Sequence, residues 1–168
     1  MILGKEEILK AIKIGGLKVE PFNKDSIKGS SIDLTLDNKF RFFYKDVMSQ
    51  DYKKYSKLMT KSQIVLEPGQ FILGITKEKL TLKNLAGRLE GRSTFARLGI
   101  TVHAASSFIH PGVSNKQVLE IKNVNNVRVK INAGDKICQV FFSEIKGNYV
   151  LDSKFRKQVS LQEGIKEL

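Results

Sequence analysis

The feature that most narrows the fold is a succession of short apolar runs cut by turn residues. Ser31-Ile32-Asp33-Leu34-Thr35-Leu36 alternates polar and apolar residues at period two, and Phe40 and Phe42 resume the alternation after an Asp37-Asn38 turn signal. Ile64-Val65-Leu66, Glu67-Pro68-Gly69 and Phe71-Ile72-Leu73 predict a hairpin whose turn is set by Pro and Gly. Further strands are predicted over 118–121, 127–131 and 137–142, separated by Asn125-Asn126 and Ala133-Gly134-Asp135. Strands with one apolar face must bury it against a second layer, and many short ones do so by forming a barrel or a double sheet. The expectation is a mainly β domain of distorted jelly-roll or barrel type.

One helix is predicted, over 5–13, where Ile8, Leu9 and Ile12 share a face, Glu6 and Glu7 occupy the first turn and Gly15-Gly16 supplies the stop. Residues 44–62 are polar and carry Lys45, Lys53, Lys54, Lys57 and Lys61 without periodicity, so they read as a surface excursion with at most one helical turn. The domain is expected to span 1–147. The polar tail, 148–168, offers little to a core and is expected to order over a ligand or a neighbouring subunit.

Composition removes several function classes. With 168 residues, 41% apolar and 27% charged, the chain supports one globular core and excludes a disordered or collagen-like protein. Its formal charge of +12 favours polyanions, yet the basic residues are scattered with no aromatic-basic signature, so direct nucleic-acid binding is not expected. Cys138 is the only cysteine, which forbids an internal disulfide and a two-Cys zinc site. Acidic Glu6 and Glu7 stand where a secretory peptide needs an apolar core, and no run of 18 apolar residues occurs. The expected setting is the cytoplasm, with no membrane partner.

Two stretches offer chemistry. Gly91-Arg92-Ser93-Thr94-Phe95-Ala96-Arg97-Leu98-Gly99 sets a glycine and two hydroxyls at the start of a short helix, flanked by Arg92 and Arg97. Such a segment holds a phosphate, or merely caps a helix. Glu120 interrupts the apolar Val118-Leu119-Glu120-Ile121 run. It is either a carboxylate on the solvent face of a strand or a partly desolvated one able to move protons near neutral pH.

Taken in order, these segments resemble the dCTP deaminases, which share their fold with the trimeric dUTPases. Residues 91–99 resemble the GRSSLARLG signature of that family. Ile109-His110-Pro111-Gly112-Val113 is similar to its IDPGW, Val118-Leu119-Glu120 to its VLE, and Asn123 to the asparagine just beyond. Ala133-Gly134-Asp135-Lys136-Ile137-Cys138-Gln139 is similar to its G-x-x-I-x-Q turn, residues 31–36 to S-x-D-L-R-L, and Ser153-Lys154-Phe155-Arg156-Lys157-Gln158 to S-K-Y-Q-G-Q.

The resemblance implies a dUTPase-like (β-clip) fold and hydrolytic deamination of dCTP to dUTP and ammonia without a protein-bound zinc. Glu120 would take a proton from the attacking water, with Ser93 and Arg97 positioning the water and the glutamate. Arg92, Thr94, Gln139, Lys154 and Gln158 would meet the phosphates, Ser106 and His110 would border the nucleoside, and Phe155 would stack on base or sugar. Mg²⁺ would arrive on the triphosphate, sites would form between subunits of a homotrimer, and dTTP would compete as an inhibitor. The same resemblance admits a dUTPase, or a bifunctional enzyme taking dCTP to dUMP; a non-catalytic nucleotide-binding module is the reading from another class. His110 and Ser106-Ser107 depart from the family pattern, where an Asp and a Thr-Ala or Ala-His stand.

Overall fold

A computed structural model describes residues 1–44, 49, 51–147, 149 and 155–161. The predicted helix is present as α1 (Lys5–Lys13), with Ile8 and Ala11 buried and Leu9 and Ile12 packed against the same core. Twelve strands follow: β1 (Leu17–Glu20), β2 (Ser31–Thr35), β3 (Lys39–Phe43), β4 (Ser56–Thr60), β5 (Gln63–Leu66) and β6 (Phe71–Leu82) in the first half. After β7 (Leu85–Gly91) comes a single-turn helix, α2 (Ser93–Ala96), then β8 (Ile100–Thr101), β9 (Phe108–Ile109), β10 (Ser114–Asn123), β11 (Val129–Asn132) and β12 (Lys136–Glu144).

The strands form three sheets: β4-β3-β6-β10-β8 with β1 also on β6, the pair β11-β5, and β2-β12-β7-β9. All pairings are antiparallel, and the sheets face one another without closing into a barrel. The apolar faces of the two larger sheets enclose Ile32, Leu34, Phe40, Leu119, Ile121, Val140 and Phe142 in one core. Transfer of such side chains from water contributes roughly 1.5–3 kcal/mol each. Gly74 lets β6 and β10 close up, because a Cβ there would lie 2.7 Å from Ile121 Cδ1.

Two expectations are corrected. The predicted 64–73 hairpin does not form: β5 pairs with β11, while β6 pairs with β1, β3 and β10. The Glu67–Gln70 turn exists, with Gly69 at φ 76°, but it hands the chain from one sheet to another. Within the expected surface excursion, Ser56–Thr60 is an edge strand on β3, preceded by a 3₁₀ turn at Tyr52–Tyr55; residues 45–48 and 50 lie outside the described set. The described tail residues, 155–161, lie along their own chain. Arg156 and Gln158 carbonyls accept the Ser114 and Lys116 amides, and Leu161 is buried with Leu73 and Ile75. Period-two reading gave no sign of this because the tail's apolar residues, Leu161 among them, are scattered through a polar segment.

Candidate functional site

Glu120 lies on β10, half-buried rather than on a solvent face. Along this strand the Ser114, Lys116 and Glu120 amides point away from β6, to the Arg156, Gln158 and Val102 carbonyls. Antiparallel alternation turns the Val118 N–H to the same free edge, between the tail on one side and the 102–107 loop on the other. That loop spans the two large sheets: Val102 is tied to Glu120, the Ser107 carbonyl accepts the Leu89 amide, and β9 pairs with β7. Gly87 admits β9, since a Cβ there would sit 3.1 Å from Ile109 Cβ.

Between these anchors the backbone converges on the carboxylate. The amides of Ala104 and Ala105 each donate to Glu120 Oε2 at 2.7 Å, and Ser106 adds a third at 3.3 Å. Successive N–H groups of this kind make an anion-holding concavity. All three engage one oxygen, so Glu120 Oε1 is left for a ligand. Next to the loop, His103 Nε2 lies 3.3 Å from Glu90 Oε2, and Arg88 pairs with the same carboxylate at 2.7 Å.

Glu120 borders a cavity of about 600 Å³, within the range of small-molecule sites. Of the residues expected at the site, Ser106, His110, Phe155 and Gln158 share its wall with Glu120. His110 is exposed and meets Phe108 edge-on, ring centroids 4.8 Å apart. The opposite wall was missed by sequence reasoning: Phe43 stacks on Phe71 at 5.6 Å and neighbours Tyr52 at 6.4 Å. Burial pushes the Tyr52 hydroxyl's pKa up, and Arg41, 5.8 Å from its ring, opposes that rise. The aromatic cluster between Phe40 and Tyr55 was the available signal. Asn123, by contrast, is fully buried and structural; its amide donates to the Leu66 and Val127 carbonyls and its oxygen accepts from Asn125.

The remaining expected residues that are described, Arg92, Ser93, Thr94, Arg97 and Gln139, do not line this cavity. Arg92 is the N-cap of α2 and no side chain caps the helix, so the hydroxyls of Ser93 and Thr94 are exposed and not used as caps. Arg97 is exposed too, and among the described residues none of these three side chains has a hydrogen-bond or ion-pair partner. Gly99, at φ 75°, ends the segment against Asn125. Arg92 turns back to the four-stranded sheet, where its Nε lies 3.3 Å from Asp33 Oδ1 and its Nη1 donates to the Lys136 carbonyl. Gln139 is on the same sheet and accepts the Ser31 hydroxyl. Lys154 lies outside the described residues. Among those described, no three His, Cys, Asp or Glu side chains are grouped to hold a metal, and no helix is long and apolar enough to cross a membrane.

The dCTP deaminase-like family model matches residues 2–145. A protein of Coprothermobacter proteolyticus named "dCTP deaminase, dUMP-forming" is 36% identical over 173 residues, covering 98% of this chain and 93% of the relative. One of the same name from Corynebacterium diphtheriae is 37% identical over 181 residues, covering 94% and 93%. Among solved structures, the 2'-deoxycytidine 5'-triphosphate deaminase of Agrobacterium tumefaciens aligns with a TM-score of 0.65 at 22% identity, over 84% of this chain and 48% of that one. The dUTPase of Staphylococcus aureus phage phi11, a structure described as coordinating a structural Mg(II) ion, aligns at 0.52 with 14% identity, over 82% and 96%. These likenesses show the dUTPase-like fold.

Proposed function

Because the chain belongs to the dCTP deaminase-like family, we propose that it deaminates dCTP hydrolytically, with Glu120 as the proton carrier. One observation carries this reading: three backbone amides hold a single oxygen of a half-buried carboxylate at the wall of a nucleoside-sized cavity. That arrangement fixes Glu120 and leaves Oε1 to receive a proton.

Water oxygen adds to C4 of cytosine while Glu120 Oε1 takes one of its protons and delivers it to N3. The remaining hydroxyl proton then passes through the same carboxylate to the exocyclic amine. The C4–N bond breaks, ammonia leaves, and C4=O forms. The free Val118 edge is placed to read the base, and Phe155 to stack on it or on the sugar. Mg²⁺ enters as part of the triphosphate, whose charge it offsets. Arg92, Thr94, Gln139, Lys154 and Gln158 are the proposed phosphate contacts. Ser93, Thr94 and Arg97, exposed and outside their own chain's cavity wall, would complete the cavity of a neighbouring copy in a homotrimer, where Ser93 and Arg97 align water and carboxylate. The tail would close over the site, and dTTP would compete for it.

The names and near-complete coverage of the two relatives support onward hydrolysis of the uracil nucleotide to dUMP and pyrophosphate. Release as dUTP is favoured instead by His110, which stands where the resemblance calls for an aspartate that orients the water attacking the α-phosphate. Incubating the protein with Mg·dCTP and, separately, with Mg·dUTP separates the outcomes. Ammonia with dUMP and pyrophosphate supports the bifunctional reaction, ammonia with dUTP the simple deaminase, and no ammonia removes the proposal.

A further inference from the structure

Arg92 and Gln139 both rest on β2. Ser31 and Asp33 occupy alternate positions of that strand and so share one face. Both are nearly inaccessible, at 3% and 2% exposure, although they are polar. Polar groups at such depth are kept where they bind something specific.

Each orients one side chain above it. The Ser31 hydroxyl donates to Gln139 Oε1 at 2.8 Å. A Gln side chain has one acceptor end and one donor end, so engaging the carbonyl turns the Nε2 hydrogens outward. Asp33 Oδ1 holds Arg92 Nε at 3.3 Å while the Lys136 carbonyl takes Nη1, which leaves Nη2 without a partner among the described residues. Asp33 Oδ2 is buried with no partner. Its charge is therefore balanced through Arg92 alone among the described side chains that pair with it. In the register of β12 with β2, Gln139 lies opposite Asp33, which brings the two oriented donors to the same part of the sheet.

We infer that Ser31 and Asp33 are positioning residues, which hold the donor ends of Gln139 and Arg92 toward one anionic group, the phosphate chain of the nucleotide. They touch no ligand themselves. Their work is preorganisation: without Ser31 the Gln139 amide is free to flip and present its carbonyl to a phosphate, and without the Asp33 charge Arg92 keeps only the Lys136 carbonyl to hold its guanidinium. This deepens the proposed reading, since it names which groups set phosphate affinity, and it rests on that reading for the identity of the nucleotide.

The test is calorimetric binding of Mg·dCTP, deoxycytidine and inorganic triphosphate to the full chain and to Ser31→Ala, Ser31→Thr and Asp33→Asn. Ser31→Ala is expected to weaken dCTP and inorganic triphosphate about five-fold, the effect of one lost orienting hydrogen bond, and to leave deoxycytidine unchanged. Ser31→Thr, which keeps the hydroxyl, restores both. Asp33→Asn weakens the same two ligands, and Ser31→Ala keeps the inference testable if that variant does not fold. Equal binding of both phosphate ligands by Ser31→Ala and the parent chain overturns the inference, as does parallel weakening of deoxycytidine. A parent chain that binds inorganic triphosphate in a Ser31-dependent way but not dCTP instead overturns the nucleotide reading and leaves the positioning role standing.

Discussion

The wall around Glu120 and the segment around α2 are 20-odd residues apart in sequence and differ in completeness. The first is held by its own chain: loop amides hold the carboxylate, β9 holds the loop to the second sheet, and Arg156 and Gln158 lie along the β10 edge. The second is rigidly carried yet unfinished. Gly99 docks on Asn125, but Ser93, Thr94 and Arg97 present their polar atoms outward without partners among the described residues. A fold that spends a close backbone contact on holding an exposed hydroxyl-and-guanidinium cluster has that cluster to offer to something else. On the proposed reading, the difference separates groups that would act within their own chain from groups that would act across a copy-to-copy boundary.

The sharpest break of this comparison is Arg97→Ala. It should lower kcat for dCTP about 100-fold, while thermal unfolding of the separated chain changes by no more than about 0.5 kcal/mol, the usual effect of an exposed side chain. Mixing Arg97→Ala with Glu120→Gln chains should restore part of the activity, as sites form that join an intact Arg97 to an intact Glu120. An unrestored mixture would place both residues in one chain's site.

Next in size is Gly99→Ala. A Cβ there would lie 2.8 Å from Asn125 Cβ and 2.9 Å from its amide nitrogen, at a φ of 75° that disfavours side chains. Destabilisation of about 2 kcal/mol is expected in denaturant unfolding, with loss of the Arg97-dependent rate and little change in the Glu120 cavity.

A smaller effect comes from the core beneath both regions. Burial pushes the Cys138 thiol's pKa far above its ordinary value, with the carboxylates of Glu78 and Asp33 adding to the rise. The folded state therefore keeps a proton that the unfolded chain loses. Stability from this group is complete below the ordinary thiol range and falls as pH rises above it, by at most about 1.4 kcal/mol per pH unit. Urea midpoints between pH 7 and 10 should decline only on the alkaline side, and thiol labelling should require unfolding. Smallest of all, Arg128→Ala removes an exposed pair with Glu67 and should shift stability by less than about 0.5 kcal/mol.

How much of this was legible in the sequence depends on where the determining group resides. Period-two alternation at 31–36, the apolar run over 137–142 and the helical face of Ile8 and Ile12 correspond to β2, β12 and α1 because core-facing positions select apolar side chains. The 64–73 segment misled because turn chemistry specifies a bend, not which strands pair across it. Lys57 hid an edge strand at 56–60, since edges tolerate charge. At the site, Glu120 was legible as a carboxylate in an apolar run, but its holders were not: the amides of Ala104 and Ala105 leave no mark in residue type. The Ser31–Gln139 contact joins residues far apart in sequence and needs the β2–β12 register to be seen.

The most direct measurement compares ammonia release from Mg·dCTP by the parent chain and by Glu120→Gln, with dCTP affinity measured on both. The side-chain amide can still accept the loop N–H groups but cannot take a proton from water, so the rate should fall by roughly 10³–10⁴-fold with affinity within about three-fold. Near-parental ammonia release from Glu120→Gln would contradict the assignment of proton transfer to this carboxylate.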